Sequence, residues 1–298
     1  MQRPAAEDSL AGGVGPWRAT LAGLCASLVG IGLARFAYTP LLPALIDADW
    51  FTSSEAAYLG AANLAGYLAG ALLGRPMVAR APTSLLLKAM MVLATAAFFG
   101  CAVPLSFAWF FVWRFASGLA GGVLMVLAAP TVLPHVPPAR QGLAGGLIFT
   151  GVGVGIAASG TLVPLLLRWG LVETWVSLGV LSLLLTLVAW GGWPDARAGT
   201  RVVELRRERP KGPALTTLYV EYGLNAVGLV PHMVFLVDFI ARGLGRGLDV
   251  GAAFWVVFGI GAIAGPVLAG ALADRIGFKA TLRLAFLVQA LSVAVLAV

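Results

Sequence analysis

Two arginines interrupt stretches that otherwise carry no charge. Arg35 lies within Gly30-Ile31-Gly32-Leu33-Ala34-Arg35-Phe36-Ala37-Tyr38-Thr39-Pro40-Leu41-Leu42-Pro43, and Arg114 stands four residues before Gly118 in a similar run. A guanidinium is a permanent cation with a planar fork of donors, suited to an anionic solute or to a partner carboxylate. Further along, Glu221, Asn225, Gly228 and His232 are spaced 4, 3 and 4. That spacing puts a carboxylate, an amide and an imidazole on one stripe of a helix, an arrangement able to relay protons. A third charged group, Asp274-Arg275, sits in the short stretch Gly270-Ala271-Leu272-Ala273-Asp274-Arg275-Ile276-Gly277-Phe278-Lys279 between two apolar runs. Each has a plainer alternative. The arginines could form structural ion pairs between helices, Glu221 could be an interfacial residue near a helix end, and Asp274-Arg275 could be a charged tight turn. Asp238, about 100° off the Glu221 stripe, reads as a flank. Asn63 and Tyr67 share a face with Gly66 and Gly70 and could add polar contacts to a cavity.

The elements that must position these groups are set by composition. Of 298 residues, 60% are hydrophobic and 11% charged, with mean hydropathy +0.93. A soluble domain carries roughly 25% charged residues, so the solvent of this chain is mostly lipid. A bilayer core takes about 20 apolar residues per helical span, and such runs recur at about 19–42, 55–74, 84–103, 107–130, 141–165, 172–193, 214–240, 250–272 and 280–298. Helices are expected because lipid offers no partner to an unpaired backbone amide. The runs lack the alternation of a barrel strand. The first span is too long for a signal peptide and carries Arg35.

The charge distribution predicts an orientation. With a cytoplasmic N-terminus, 15 of the 20 Lys and Arg fall on or beside cytoplasmic loops: Arg3, Arg18, Arg75, Arg80, Lys88, Arg140, six between 194 and 213, Arg275, Lys279 and Arg283. Arg168, Arg242 and Arg246 lie outside. This is the positive-inside pattern, and it places the basic segment 194–213 as a cytoplasmic linker rather than a nucleic-acid surface. Arg35 and Arg114 then stand about seven residues from the outer ends of the first and fourth spans. At about 1.5 Å per residue that is roughly 10 Å deep, where a charge costs at least about 2.5–3.5 kcal/mol to insert and should face a cavity or partner.

The hinge Gly-x-x-x-Asp-Arg-x-Gly-x-Lys, carried by Gly270, Asp274, Arg275, Gly277 and Lys279, resembles the cytoplasmic loop signature of the major facilitator superfamily of transporters. A reduced copy stands at Gly70-Ala71-Leu72-Leu73-Gly74-Arg75, which points to a duplicated bundle. The Arg35-Phe36-x-Tyr38-x-x-Leu41-Leu42-Pro43 pattern resembles the YbfB-like branch. Arg114-x-x-Ser117-Gly118 is similar to the fourth-span signature of proton-coupled drug exporters, with Ser117 where Gln is usual. In the fifth span, Ile156 stands where the antiporter signature has proline, so the resemblance does not extend to export.

The resemblance implies an all-α polytopic membrane protein with the major facilitator fold of two six-helix halves. Residues 1–193 would form the N-terminal bundle, 194–213 the basic linker and 214–298 a partial C-terminal bundle of spans seven to nine. A superfamily member normally has twelve spans, so about three are expected beyond Val298. By that resemblance the hinge would gate alternating access, with Asp274 near the N-terminus of the fifth span at Gln141-Gly142. In the resembled fold spans one, four, seven and ten line the central cavity, and here spans one, four and seven hold every deeply placed ionisable residue of the chain.

The expected function is secondary active transport of a small solute, anionic or strongly hydrogen-bonding, by alternating access coupled to protons. Arg35, Tyr38 and Arg114 would hold the solute, and Glu221, Asn225 and His232 would carry the proton. The implied setting is a bacterial inner membrane, with a monomeric carrier, a lipid bilayer and no cofactor or nucleic acid. The alternatives are a non-transporting membrane sensor or a degenerate transporter remnant. A membrane enzyme would need a nucleophile with its base, or a metal cluster. His135, His232, Cys25 and Cys101 are too scattered to supply either. Gly151-Val152-Gly153-Val154-Gly155 has no preceding strand and is not a dinucleotide loop; small residues four apart mean packed helices.

Overall fold

The computed structural model describes residues 14–194 and 213–296, and among these every regular element is a helix. The continuous apolar runs leave no other way to pair their backbone amides in lipid. The second span is Ser53–Val78, the third Thr83–Cys101, the fourth Phe107–Val132, the fifth Gln141–Leu167 and the sixth Leu171–Ala189. The seventh, Pro213–Asp238, the eighth, Leu248–Ile276, and the ninth, Phe278–Leu296, follow the basic linker, whose residues 195–212 lie outside the described residues. Among the described residues, 8 helices are long and apolar enough to cross a membrane, those of spans one to eight, and Phe278–Leu296 follows as a ninth helix of 19 residues.

Local chemistry sets where spans begin and end. Thr52 and Glu55 form a capping box at the start of the second span, and the Ser106 hydroxyl accepts from the Trp109 amide at the start of the fourth. Gly277, at φ +86°, closes the eighth span and turns the chain straight into the ninth.

Two glycine seams bring helix backbones into contact. Between the second and fourth spans, a Cβ at Gly66 or Gly70 would strike the carbonyls of Phe115 and Leu119. In return, one at Gly118 or Gly122 would strike those of Asn63 and Tyr67. Between the fifth and eighth spans, Gly142, Gly146, Gly153 and Gly160 meet Gly270, Pro266, Ala262 and Ala252 in turn. The run Gly151–Gly155 is divided between neighbours: Gly153 faces the eighth span, whereas Gly151 and Gly155 press on Leu24 and Gly32 of the first. The copied hinge glycines also diverge. Gly70 packs on the fourth span and Gly270 on the fifth.

The first span, Pro16–Asp47, is longer than the expected 19–42 and is not continuous. An α-helix runs from Pro16 to Ser27, a π-helical segment from Leu28 to Leu33, a turn through 34–37, and a second α-helix from Tyr38 to Asp47. The Ala34 and Phe36 amides donate to Val29 and Ile31 at 3.1 and 3.3 Å, one residue further back than α-helical pairing. Gly30 is pressed against Gly121 of the fourth span, and Gly32 against Gly155 of the fifth. Close backbone contact on two sides at the same level accompanies the local widening.

Candidate functional site

Arg35 sits in the turn of the broken first span and is half-buried. Its guanidinium reaches three soft partners: Met233 Sδ at 3.8 Å, the Phe36 ring at 5.1 Å and the Tyr67 ring at 5.7 Å. The Thr39 hydroxyl, one turn on, donates to the Met233 carbonyl at 2.8 Å. The broken segment of the first span is thereby tied to the seventh span through Met233.

Arg114 is buried, with 3% exposed. Its Nη1 donates to the Ala34 carbonyl at 2.8 Å, and its guanidinium lies 4.2 Å from the centre of the Tyr38 ring. The Tyr38 hydroxyl donates to the Ala56 carbonyl at 2.8 Å. Arg114 Nε has no hydrogen-bond partner among the described residues. The two arginines are therefore linked through the break itself: one carries the carbonyl-to-guanidinium bond at Ala34, and the other is the next residue.

Among the described residues, neither arginine makes an ion pair. Among the described residues the salt bridge is Arg242 to Asp238 at 3.3 Å, on an exposed turn of helix, which accounts for Asp238 as a flank. Asn63 does not project into open space: it donates to the Arg114 carbonyl at 3.1 Å and to Ser117 Oγ at 2.8 Å. Ser117 Oγ in turn donates to the Arg114 carbonyl at 3.0 Å. The fourth-span variation at Ser117 thus completes a clamp between the second and fourth spans.

The seventh-span stripe is only partly placed. Glu221 is exposed, Asn225 Oδ1 accepts from Gln289 Nε2 at 2.7 Å, and the side chain of His232 lies outside the described residues. Among the described residues, no hydrogen bond or ion pair joins Glu221 or Asn225 to Arg35 or Arg114. Residues that spacing did not single out, Met233 and Trp255, contribute instead. Their signal was too generic, since methionine and tryptophan are ordinary occupants of apolar spans.

Asp274 receives two backbone amides at the start of the fifth span, Gly142 at 3.1 Å on Oδ1 and Leu143 at 3.0 Å on Oδ2. A helix N-terminus carries unpaired amides and a partial positive charge, so a carboxylate satisfies both. Gly142 and Gly270 permit this approach, since a Cβ on either would block it. At the opposite end of the bundle, a cleft of about 670 Å³ opens between Pro43, Asp47, Glu173, Arg242 and Leu248. It does not include Arg35 or Arg114.

A broken first span, a buried arginine on the fourth and a carboxylate on the N-terminus of the fifth are joined by one further finding. The family model described as "Uncharacterised MFS-type transporter YbfB" matches residues 27–298. The chain belongs to the YbfB-type family of the major facilitator superfamily. It is a multi-pass membrane transporter and not an enzyme. Solved structures similar to this YbfB-type chain include a D-xylose-proton symporter, at 14% identity and TM-score 0.63, covering 87% of this chain and 68% of that one. A double-tryptophan mutant of XylE is 16% identical at TM-score 0.62, covering 88% and 69%. A partially occluded, inward-open form of the xylose transporter XylE from E. coli is 16% identical at TM-score 0.61, covering 88% and 74%. At such identities the YbfB-type chain shares the fold of these symporters. No curated protein matches its sequence.

Proposed function

We propose that this YbfB-type protein carries a small anionic solute across the membrane by rocking two halves, 1–193 and 214 onward, about a site centred on Arg35. The observation that carries the reading is the broken first span. Irregular backbone inside a membrane is tolerated where it lines a cavity or is buried in protein, and here it presents a cation that meets no carboxylate among the described residues. Arg35 meets the solute, while Arg114 and Tyr38 hold the break in shape. The proton passes along Glu221, Asn225 and His232, and the fold shared with a proton symporter supports that coupling. In this reading the membrane is a bacterial inner membrane, the carrier acts as a monomer and the N-terminus is cytoplasmic, the last supported by the distribution of Lys and Arg over the loops.

The test is a proteoliposome assay with a trapped pH indicator and a panel of solutes added outside. Solute-dependent proton movement is expected, abolished by a protonophore and reduced at least tenfold by Glu221→Gln. Proton leak unaffected by any solute would sink the reading, and flux unchanged in Glu221→Gln would remove the proton path.

In the same reading, Gly270, Asp274, Arg275, Gly277 and Lys279 act as a latch that holds one orientation. A carboxylate at a helix N-terminus contributes about 0.3–1 kcal/mol, and up to about 2 kcal/mol where partly buried. Asp274→Asn should therefore shift the population several-fold toward the form in which the fifth and eighth spans part at this end. Spin labels on Arg140→Cys and Ile276→Cys, both exposed and outside the latch residues, report it, because native Cys25 and Cys101 are buried. A longer distance component is expected in Asp274→Asn, and an unchanged distribution would show that the amides hold without the charge.

A further inference from the structure

We infer that the solute is an amphipathic organic anion, a flat apolar or aromatic body carrying one carboxylate-class charge. The inference rests on Arg35 facing the transport site as proposed above. Two observations carry it together: what Arg35 touches, and what surrounds it.

Among the described residues, Arg35 is held by a thioether and two ring faces. Removing a guanidinium from water is expensive, and such contacts return little of that cost compared with a charge-assisted bond. A carboxylate matches its fork with two parallel hydrogen bonds, and Met233 Sδ can move aside because methionine is flexible. An anionic head group is thus the ligand that Arg35 is short of.

The neighbourhood specifies the rest of the molecule. Phe36 packs on Trp255 with ring centres 5.9 Å apart, and Trp255 stacks on Phe258 at 5.3 Å and 8°. Tyr67, Met125 and Met233 pack against the same cluster. Three of the polar groups beside these rings are already engaged. Trp255 Nε1 donates to Ser159 Oγ at 3.1 Å, Thr39 Oγ1 is bonded to Met233, and Asn63 is bonded to the fourth span. A polyol held here would find few partners for its hydroxyls beyond Arg35 and the Tyr67 hydroxyl, and each one left unpaired is costly. A flat apolar body would instead meet the half-buried Tyr67 and Phe258 rings and the Met125 and Met233 thioethers, with Phe36 and Trp255 buried behind them. The fold resembles xylose symporters, but these side chains suit a different class of solute.

Binding to purified full-chain protein in nanodiscs, followed by tryptophan fluorescence, tests this with benzoate, acetate, benzylamine and D-xylose. Benzoate should bind saturably, acetate at least tenfold more weakly, and benzylamine and xylose not measurably. Arg35→Gln should weaken benzoate by roughly thirtyfold or more, since it removes a charge-assisted pair. Phe258→Leu, which keeps an apolar side chain but loses the ring, should weaken it about three- to tenfold with the unliganded melting temperature little changed. Xylose or benzylamine binding in place of benzoate would overturn the inference and leave transport standing. Acetate binding as well as benzoate would overturn the apolar body. Benzoate binding indifferent to both substitutions would overturn the site. Silence toward all four probes in folded protein would also overturn this inference, while the proton-flux panel separately decides transport.

Discussion

Gly118→Val is expected to abolish accumulation of folded protein in the membrane, or to leave it with a melting temperature many degrees lower. A Cβ at Gly118 would occupy the position of the Asn63 carbonyl, and the next nearest atom, the Tyr67 amide, is also backbone. Neither can rotate away as a side chain would, so the second and fourth spans must separate. Separation also breaks the Asn63 bonds to Arg114 and Ser117, at 3.1 and 2.8 Å, which depend on the same approach. Overpacking costs about 1–3 kcal/mol when a core can adjust, and this seam between two backbones belongs at or above the upper end. Branching at Cβ adds a second methyl to the same collision. Gly223→Val is the matched control, because nothing lies within 4 Å of a Cβ built there. The check is fluorescence-detected size exclusion of tagged protein with a thermal ramp. Equal yields and melting temperatures for the two variants would show that the seam is not close-packed in the membrane.

Arg114→Met should do the reverse, leaving stability near that of the parent or above it while transport falls by about a hundredfold. Arg114 is 3% exposed and makes no ion pair among the described residues, so the folded state bears the cost of its desolvation. Replacing buried charge by an apolar chain of similar volume is often neutral or stabilising by about 1–4 kcal/mol. Against that gain stands the Ala34 carbonyl, which loses the 2.8 Å bond from Nη1 at a cost of about 1–3 kcal/mol. The two nearly cancel. Transport is different, because Ala34 immediately precedes Arg35 and the bond fixes the turn that aims it. A displacement of about 1 Å in a positioned group can cost about a hundredfold. Arg114→Lys should also fail: a lysine keeps the charge but lacks the planar fork that bonds Ala34 while stacking on Tyr38 at 4.2 Å. Thermal ramps and solute-driven proton flux on the same preparations separate the cases. A melting temperature that collapses in Arg114→Met would make the arginine a structural element, and flux retained in it would remove the positioning role.

Much of this molecule was written in one dimension. Span positions follow from the length of apolar runs, because a helix in lipid must satisfy its own backbone and about 20 residues cross the core. The Asp274 hinge was also legible, since its glycines, acid and bases lie within ten consecutive positions from Gly270 to Lys279. Arg35 and Arg114 announced themselves by cost alone, as charges within apolar helices. Local spacing could not say which partners they meet. Arg35 to Met233 and Asn63 to Arg114 are contacts across 198 and 51 residues, set by how helices cross. The stripe of Glu221, Asn225 and His232 shows the same limit, because a shared helical face does not specify what that face looks upon.

What the sequence by itself determined is therefore the list of spans, the charged hinge and the identity of the costly residues. Only the tertiary structure decided that the first span breaks at Leu28–Leu33 and that the break serves both arginines. The physical reason is that periodicity records which atoms follow one another along a helix. The break instead arises where Gly30 and Gly32 are pressed by Gly121 and Gly155, glycines distant in sequence whose close approach exists only after the helices have packed.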